Sequence, residues 1–173
     1  VTLAGSIVQA LAEGLVSLVL VQLRKPGAPC FLSANVGVFD MRSTLLSLGG
    51  PEVSLGLAAQ AEVAQSFGLP TWGYAGCTDA KSVDAQAGLE SGFSILSQGL
   101  AGLNLIHDVG YLDFALAGSL EMIVIMDEVI SQIRRIQTGI QIDADRLQRL
   151  GSFLPPGRCV AESGLHTAED AAR

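Results

Sequence analysis

Short apolar runs alternate with long stretches of helical period, and that alternation constrains this chain more than any other feature. Apolar residues fill Ile7 to Leu23, and Lys25-Pro26-Gly27 ends that helix. Pro29 to Leu32 reads as a strand, followed by a polar loop, SANVGVFDMRST. Gly49-Gly50-Pro51 opens a helix over Glu52 to Phe67, and Gly68 stops it. Leu69 to Tyr74 is the next strand. Leu89, Phe93, Leu96 and Leu100 recur at i, i+4, i+7 and i+11, which predicts the buried face of a helix. Past Gly102, Leu103 to Ile106 is a strand with His107-Asp108 at its end. Met122, Met126, Val129, Ile133 and Ile136 mark one face of another long helix. The tail adds Leu147 to Leu154, the breaker Pro155-Pro156-Gly157, a strand over Arg158 to Ala161 and a short helix from Thr167.

Strand, loop and helix repeat with no hairpin signal, so the class is α/β with a parallel sheet. The strands are short continuous apolar runs, as expected where both faces are covered. Two architectures follow, a (β/α)8 barrel or an open doubly wound sheet. About four βα units fit here, while a complete barrel needs about 250 residues. The expectation is one domain, a partial TIM barrel.

Composition excludes several classes of function. The chain is 49% hydrophobic and 16% charged, enough apolar material for a sizeable core. Its net charge of −7 includes no basic stripe, which argues against a nucleic-acid partner. Cys30, Cys77 and Cys159 stand far apart, without zinc or disulfide spacing, so a reduced, cytoplasmic setting is expected. Gln9 and Glu13 break the apolar run Ile7 to Leu23, which reads as too short and too polar for a membrane span. No basic n-region precedes it, so it does not read as a signal peptide.

In parallel α/β folds ligands lie at the C-terminal ends of the strands. Three loops hold that position. The first carries Asn35, Asp40 and Arg42; the second carries Thr78, Asp79, Lys81, Asp84 and Gln86; the third carries His107, Asp108, Tyr111 and Asp113. The second loop matches neither GxxxxGK[ST] nor GxGxxG, so it is no nucleotide cradle. Asp79, Asp84 and Glu90 are spread over a loop and a helix, which is a weak ligand set, and no metal is expected. A structural reading competes at each position. Asp79 or Ser82 caps the helix, with Asp84 in its first turn. Asp40 and Arg42 form a loop salt bridge. His107 packs at a strand end, or shuttles a proton.

Several segments carry a family resemblance. They are VTLAGSIVQALAEGLVSLVLVQLRKPGAP, the DMR of Asp40 to Arg42, SFGLP, CTDAKSVDAQAGLESGFSILSQGLAGLN and GSLEMIVIMDEVISQIRRIQTGI. Together, from Val1 to about Asp145, they resemble the C-terminal half of the trimethylamine methyltransferase family, which includes relatives acting on glycine betaine. The resemblance implies a (β/α)8 barrel. It also implies methyl transfer from a small methylated amine to a corrinoid (cobalamin) carried by a separate corrinoid protein. Family members that use trimethylamine in methanogenesis carry pyrrolysine; its absence here leans toward a quaternary amine such as betaine. On this view Asp79, Asp84 and His107 are the catalytic candidates. Asp40, Arg42, Lys81, Gln86 and Tyr111 are the substrate-binding candidates. The chemistry asks the protein to exclude water, hold a cation and present one methyl group.

The tail, residues 146–173, departs from that pattern. CVAESGLHTAEDAAR resembles indole-3-glycerol phosphate synthase near its seventh strand, which implies a join near residue 145. Glu162, Ser163 and Gly164 would then form a phosphate-binding turn, with Thr167 as a plain helix N-cap in the structural reading. Two alternatives to the methyltransferase follow: a lyase of that second family, and a non-catalytic barrel fragment that forms a homo-oligomer to cover its sheet edges.

Overall fold

The computed structural model describes residues 2–33 and 35–143. The chain divides into two compact units, residues 1–137 and 138–173. Of the second, residues 138–143 are described, and they form neither helix nor strand. Every element below belongs to the first unit.

In chain order the elements are α1 (Leu3–Arg24), β1 (Leu32–Ser33), β2 (Val38–Asp40), β3 (Leu45–Ser47), α2 (Pro51–Ser66), β4 (Thr71–Tyr74), α3 (Ala85–Leu100), β5 (Leu105–His107), β6 (Tyr111–Leu112), β7 (Ala117–Gly118) and α4 (Leu120–Gln137). A parallel sheet runs in the order β1-β4-β5. Each of its strands leads to a helix: β1 to α2, β4 to α3, β5 to α4. The described residues therefore hold three βα units preceded by a helix. The fourth expected unit, Arg158 to Ala161 and the helix from Thr167, lies outside the described residues, as do the join near 145 and Leu147 to Leu154.

The helix ends follow local chemistry. Thr2 caps α1, its hydroxyl accepting from the Gly5 N–H at 3.2 Å. Pro51 opens α2 without needing an N–H partner. Both α2 and α3 close with a left-handed glycine, Gly68 (φ 67°) and Gly102 (φ 80°). The Leu69 N–H then reaches back to the Ala64 carbonyl at 3.0 Å, and the Leu103 N–H to Gln98 at 3.2 Å. A side chain at either glycine would strain this turn.

Tertiary pairing overrode the sequence expectation in four places. First, the two long βα loops each contain an antiparallel hairpin, β2–β3 and β6–β7. Their turns use Thr44 and the run Asp113, Phe114 and Ala115 in left-handed geometry, none of which carries a glycine signal. Second, the α3 stripe faces outward. Leu89, Phe93 and Leu100 are 72%, 54% and 63% exposed, whereas Ala87, Ser91, Ser94, Ile95 and Gln98 are buried. Small and polar residues let α3 sit close to α2, where Gln98 Nε2 donates to the Ser54 carbonyl at 3.1 Å. Third, α1 starts a turn before the apolar run. At 22 residues it is long and apolar enough by length and composition to cross a membrane, whereas the run alone read as too short. Ala10 and its neighbours Leu3 and Ile7 pack against Val36. Fourth, Ile136 is exposed, although Met122, Met126 and Ile133 are buried as the periodicity predicts.

The main core lies between α3 and α4. Ile95, Met122, Met126 and Ile133 meet Ala75, Ala80, Ala87 and Leu112 there. Helices cover only one face of the sheet. Gly73 on that face approaches Leu57 of α2 and Leu103. The opposite face leaves Trp72 and Leu105 38% and 54% exposed, so the strands are covered on one side and open on the other.

Met126 is fully buried, and its truncation leaves a cavity. Met126→Ala should cost about 2–5 kcal/mol in urea unfolding. Leu100→Ala should stay within about 0.5 kcal/mol, because that side chain faces outward. A large loss at Leu100 would show that the stripe is buried after all.

Candidate active site

The C-terminal ends of β4 and β5 are zipped together beyond the strands. The Ala75 N–H donates to the His107 carbonyl at 3.1 Å, and the Gly110 N–H to Gly76 at 3.2 Å. The Thr78 N–H donates to Tyr111 at 3.1 Å, and the Asp113 N–H to Ala80 at 2.8 Å. The second and third loops are thus one surface. Asp79 ties in the first: its carboxylate accepts from the Ser47 hydroxyl at 2.5 Å, the Leu48 N–H at 2.8 Å and the Gly49 N–H at 3.1 Å. Beside it, Glu90 accepts from the Thr78 hydroxyl at 2.5 Å, the Asp79 N–H at 2.9 Å and Gln86 Nε2 at 2.8 Å.

These bonds decide several candidates. Asp79 is a loop clamp whose oxygens are already engaged. Asp84, and neither Asp79 nor Ser82, is the N-cap of α3: it accepts from the Ala87 N–H at 3.0 Å, while the Ser82 hydroxyl donates to its other oxygen at 3.3 Å. Gln86 is held by Glu90. Lys81 is exposed and 4.0 Å from Asp113. Asp40 turns the β2–β3 hairpin by accepting the backbone N–H groups of Arg42 and Ser43 and the Ser43 hydroxyl. Those bonds, the Ser43 hydroxyl first, hold its carboxyl below the usual carboxylate value. The expected ion pair with the Arg42 guanidinium is replaced by that backbone contact, and both side chains point to solvent. Tyr111 is exposed on β6 and joins the site through its carbonyl. Glu162, Ser163 and Gly164 lie outside the described residues. Among the described residues, no three His, Cys, Asp and Glu side chains come together as a metal-ligand set.

A different group gathers on the open face of the sheet. Parallel register aligns Trp72 with Leu105 and Tyr74 with His107. The Trp72 ring meets Phe31 edge-on at 4.9 Å and His107 at 5.2 Å; Tyr74 lies 6.4 Å from His107. The chain is only 5% aromatic, yet its single tryptophan and one of its two tyrosines converge on this histidine. His107 Nδ1 is 2.7 Å from Asp108 Oδ1, so the carboxylate orients the imidazole through that nitrogen. Asp108 holds φ 71°, an uncommon conformation for a residue other than glycine, which aims its carboxylate at the neighbouring ring. Tyr74 itself is buried, packed with Val53 and Leu57 of α2 and with Cys77, and its hydroxyl donates to the Val36 carbonyl at 2.8 Å. Beyond His107, Asp108, Gly110, Tyr111 and Ser119 line an open cleft of about 530 Å³.

His107 is the one catalytic candidate that the structure puts on this face. Phe31, Trp72 and Tyr74 were not among the sequence candidates, whereas Asp108 stood beside His107 in the third loop. The signal was there in TWGY, where Trp72 alternates with Thr71 and Gly73 on a strand and so takes the other side.

Comparison with known proteins adds the lineage. The family model for trimethylamine methyltransferase (MTTB) matches residues 1–149. The chain belongs to the trimethylamine methyltransferase family. It is 36% identical over 147 residues to a trimethylamine methyltransferase of Methanosarcina thermophila, covering 85% of this chain and 30% of that protein. It is 35% identical over 145 residues to a glycine betaine methyltransferase of Desulfitobacterium hafniense, covering 83% of this chain and 30% of that protein. The chain therefore spans about 30% of the length of these relatives. The matched span includes α1 and every sheet residue named above, and it stops short of most of the tail.

Between the two joined loops, Cys77 is buried, and its thiol donates to the Asp108 carbonyl at 3.2 Å. Burial first, then the charges of Asp108 and Asp79, push it up to about 12 from 9.0. A raised value means that its contribution to stability is complete below about pH 9 and is lost as pH rises toward 12. Iodoacetamide at pH 8 should label Cys77 only in the unfolded chain; rapid labelling at Cys77 itself in the native chain, read by peptide mass mapping, would contradict this. Removing the clamp should cost more than removing the cap. Asp79→Ala leaves a hydroxyl and two N–H groups without their acceptor, about 1–3 kcal/mol. Asp84→Ala should cost about 1 kcal/mol. Denaturant unfolding separates the two.

Proposed function

We propose that this chain is part of a methyltransferase that moves a methyl group from a small methylated amine to a separate corrinoid protein. Family membership supports the reaction class. The observation that carries the site is the pair of exposed rings, Phe31 and Trp72, beside the His107–Asp108 pair, with buried Tyr74 behind them. Aromatic faces attract a quaternary or protonated ammonium through their quadrupoles, by about 0.5–2 kcal/mol per ring. A nearby carboxylate adds attraction for the cation. Apolar rings also exclude water, and His107, oriented by Asp108, supplies one directional polar atom through Nε2.

The corrinoid, brought by the partner, supplies a nucleophilic cobalt. The residues of this chain bind the cation, orient one methyl group toward the open cleft and keep water away. Asp79, Asp84 and Glu90 act here as a scaffold that fixes three loops relative to one another.

The fold reading is a segment of a (β/α)8 barrel. The strands follow chain order, and their helices lie on one face. A doubly wound sheet would reverse order and cover both faces. The bare aromatic face is then the barrel interior, completed by the further length that the relatives have.

Trp72 is the only tryptophan, so its fluorescence reports this face directly. Titration with glycine betaine or trimethylamine should produce a saturable change, and His107→Ala should weaken it. In a protein extended to the length of its relatives, methyl transfer to added Co(I) cobalamin should appear as its absorbance change. Neither amine perturbing Trp72, together with no transfer by the extended protein, would falsify the proposal.

A further inference from the structure

Asp108 is the strained residue of the site. Its φ of 71° is costly for aspartate, and strain of this kind persists only where the surroundings over-determine the backbone. Here they do. The peptide before Asp108 is pinned at the His107 carbonyl, which accepts from the Ala75 N–H at 3.1 Å. The peptide after it is pinned at the Asp108 carbonyl, which accepts from the Cys77 thiol at 3.2 Å. One peptide further on, the Gly110 N–H donates to the Gly76 carbonyl at 3.2 Å. Fixing both peptides that flank Asp108 fixes the torsions between them, and with them the direction of its carboxylate.

The residues that do the pinning are themselves held from behind. Gly76 has φ 81°, and a Cβ there would come within 3.1 Å of Ile95 Cδ1 and 3.2 Å of Val109 Cα. Only glycine lets the two backbones lie this close. The Gly76 N–H donates to the Ser94 hydroxyl of α3 at 2.9 Å, and that hydroxyl donates to the Ser91 carbonyl at 2.9 Å. Ser94 and Cys77 are both buried, and Cys77 packs with Val53 and Leu57 of α2. They sit behind the open face, so they act on the site through what they hold.

We propose that Cys77 and Ser94, joined through Gly76, are positioning residues for the His107–Asp108 pair: they keep Asp108 in its left-handed conformation, and Asp108 then sets the direction of the His107 imidazole. The catalytic consequence rests on the methyl-transfer reading of the site; the hold on His107 does not. A thiol is a weak donor, so losing it should disturb the pair without unfolding the chain.

NMR of the imidazole protons tests this directly. The chain has two histidines, and His107→Gln identifies which signals belong to His107. The Trp72 ring, 5.2 Å away, displaces those signals, and the displacement reads the direction of the imidazole. Cys77→Ala should lose most of that displacement, whereas Cys77→Ser, which keeps a donor, should retain it. Ser94→Ala leaves the Gly76 N–H without its acceptor and should move the same signals in the same direction, by less. Ile133→Val, a loss from the core on α4, should not move them. Asp108→Gly keeps the backbone conformation without the carboxylate, and adding Cys77→Ala to it should change nothing further. Circular dichroism verifies that each variant is folded; if Cys77→Ala is not, Ser94→Ala carries the test. In the protein extended to the length of its relatives, Cys77→Ala should lower kcat about 10-fold and change KM for the amine less than about twofold, because the rings that hold the cation stay in place. Signals that neither Cys77→Ala nor Ser94→Ala moves overturn the proposal. So do signals moved as far by Cys77→Ser or Ile133→Val, or moved further by Cys77→Ala on top of Asp108→Gly. Signals that behave as expected while neither amine perturbs Trp72 support the positioning and overturn the amine reading instead.

Discussion

Parallel pairing of β4 to both of its neighbours fixes which side chains share a face. Trp72 pairs with Ser33 on one side and Leu105 on the other; Tyr74 pairs with His107. A slip of one residue would send Trp72 into the helices and bring Thr71 and Gly73 to the open side. Gly73 has no room for a side chain on the helix face, because a Cβ there would come within 2.6 Å of Leu103 Cδ2. The register that packs the helices is therefore the register that assembles the aromatic face.

Loop geometry depends on the same strand. The stretch from Ala75 to Asp84 follows β4, and it bonds to the loops on both sides. Backbone contacts join it to the loop after β5, and Asp79 joins it to the residues that follow β3. Carboxylates that look catalytic in a sequence serve here as acceptors for N–H and O–H groups that would otherwise lack partners.

Much of the fold was legible. The parallel βα order, the places of the four helices, the buried face of α4 and the positions of the three parallel strands follow from period and from glycine stops such as Gly68 and Gly102. The stripe on α3 was misread because periodicity reports that one face is apolar, and the neighbours decide where that face points. Ser91, Ser94 and Gln98 turn inward because α2 and α4 approach closely; Gln98 Nε2 donates to the Ser54 carbonyl of α2, and the Ser94 hydroxyl to the Ser91 carbonyl of its own helix. The hairpins were missed because strands of two or three residues draw their pairing from surrounding contacts rather than from propensity. Asp79 and Asp84 stand out in the sequence by their charge, which says nothing about the N–H and O–H partners that the fold brings to them.

By itself the sequence determined the class of the fold and the lineage, because alternating periods and the family segments are written along the chain. Tertiary structure decided which residues face each other. It spent the carboxylates of Asp79 and Asp84 on loops and a cap, gathered Phe31, Trp72, Tyr74 and His107 from three separated segments, and turned the α3 stripe outward. The physical reason is that strand register and helix neighbours are set by contacts between distant parts of the chain, and no local pattern encodes them.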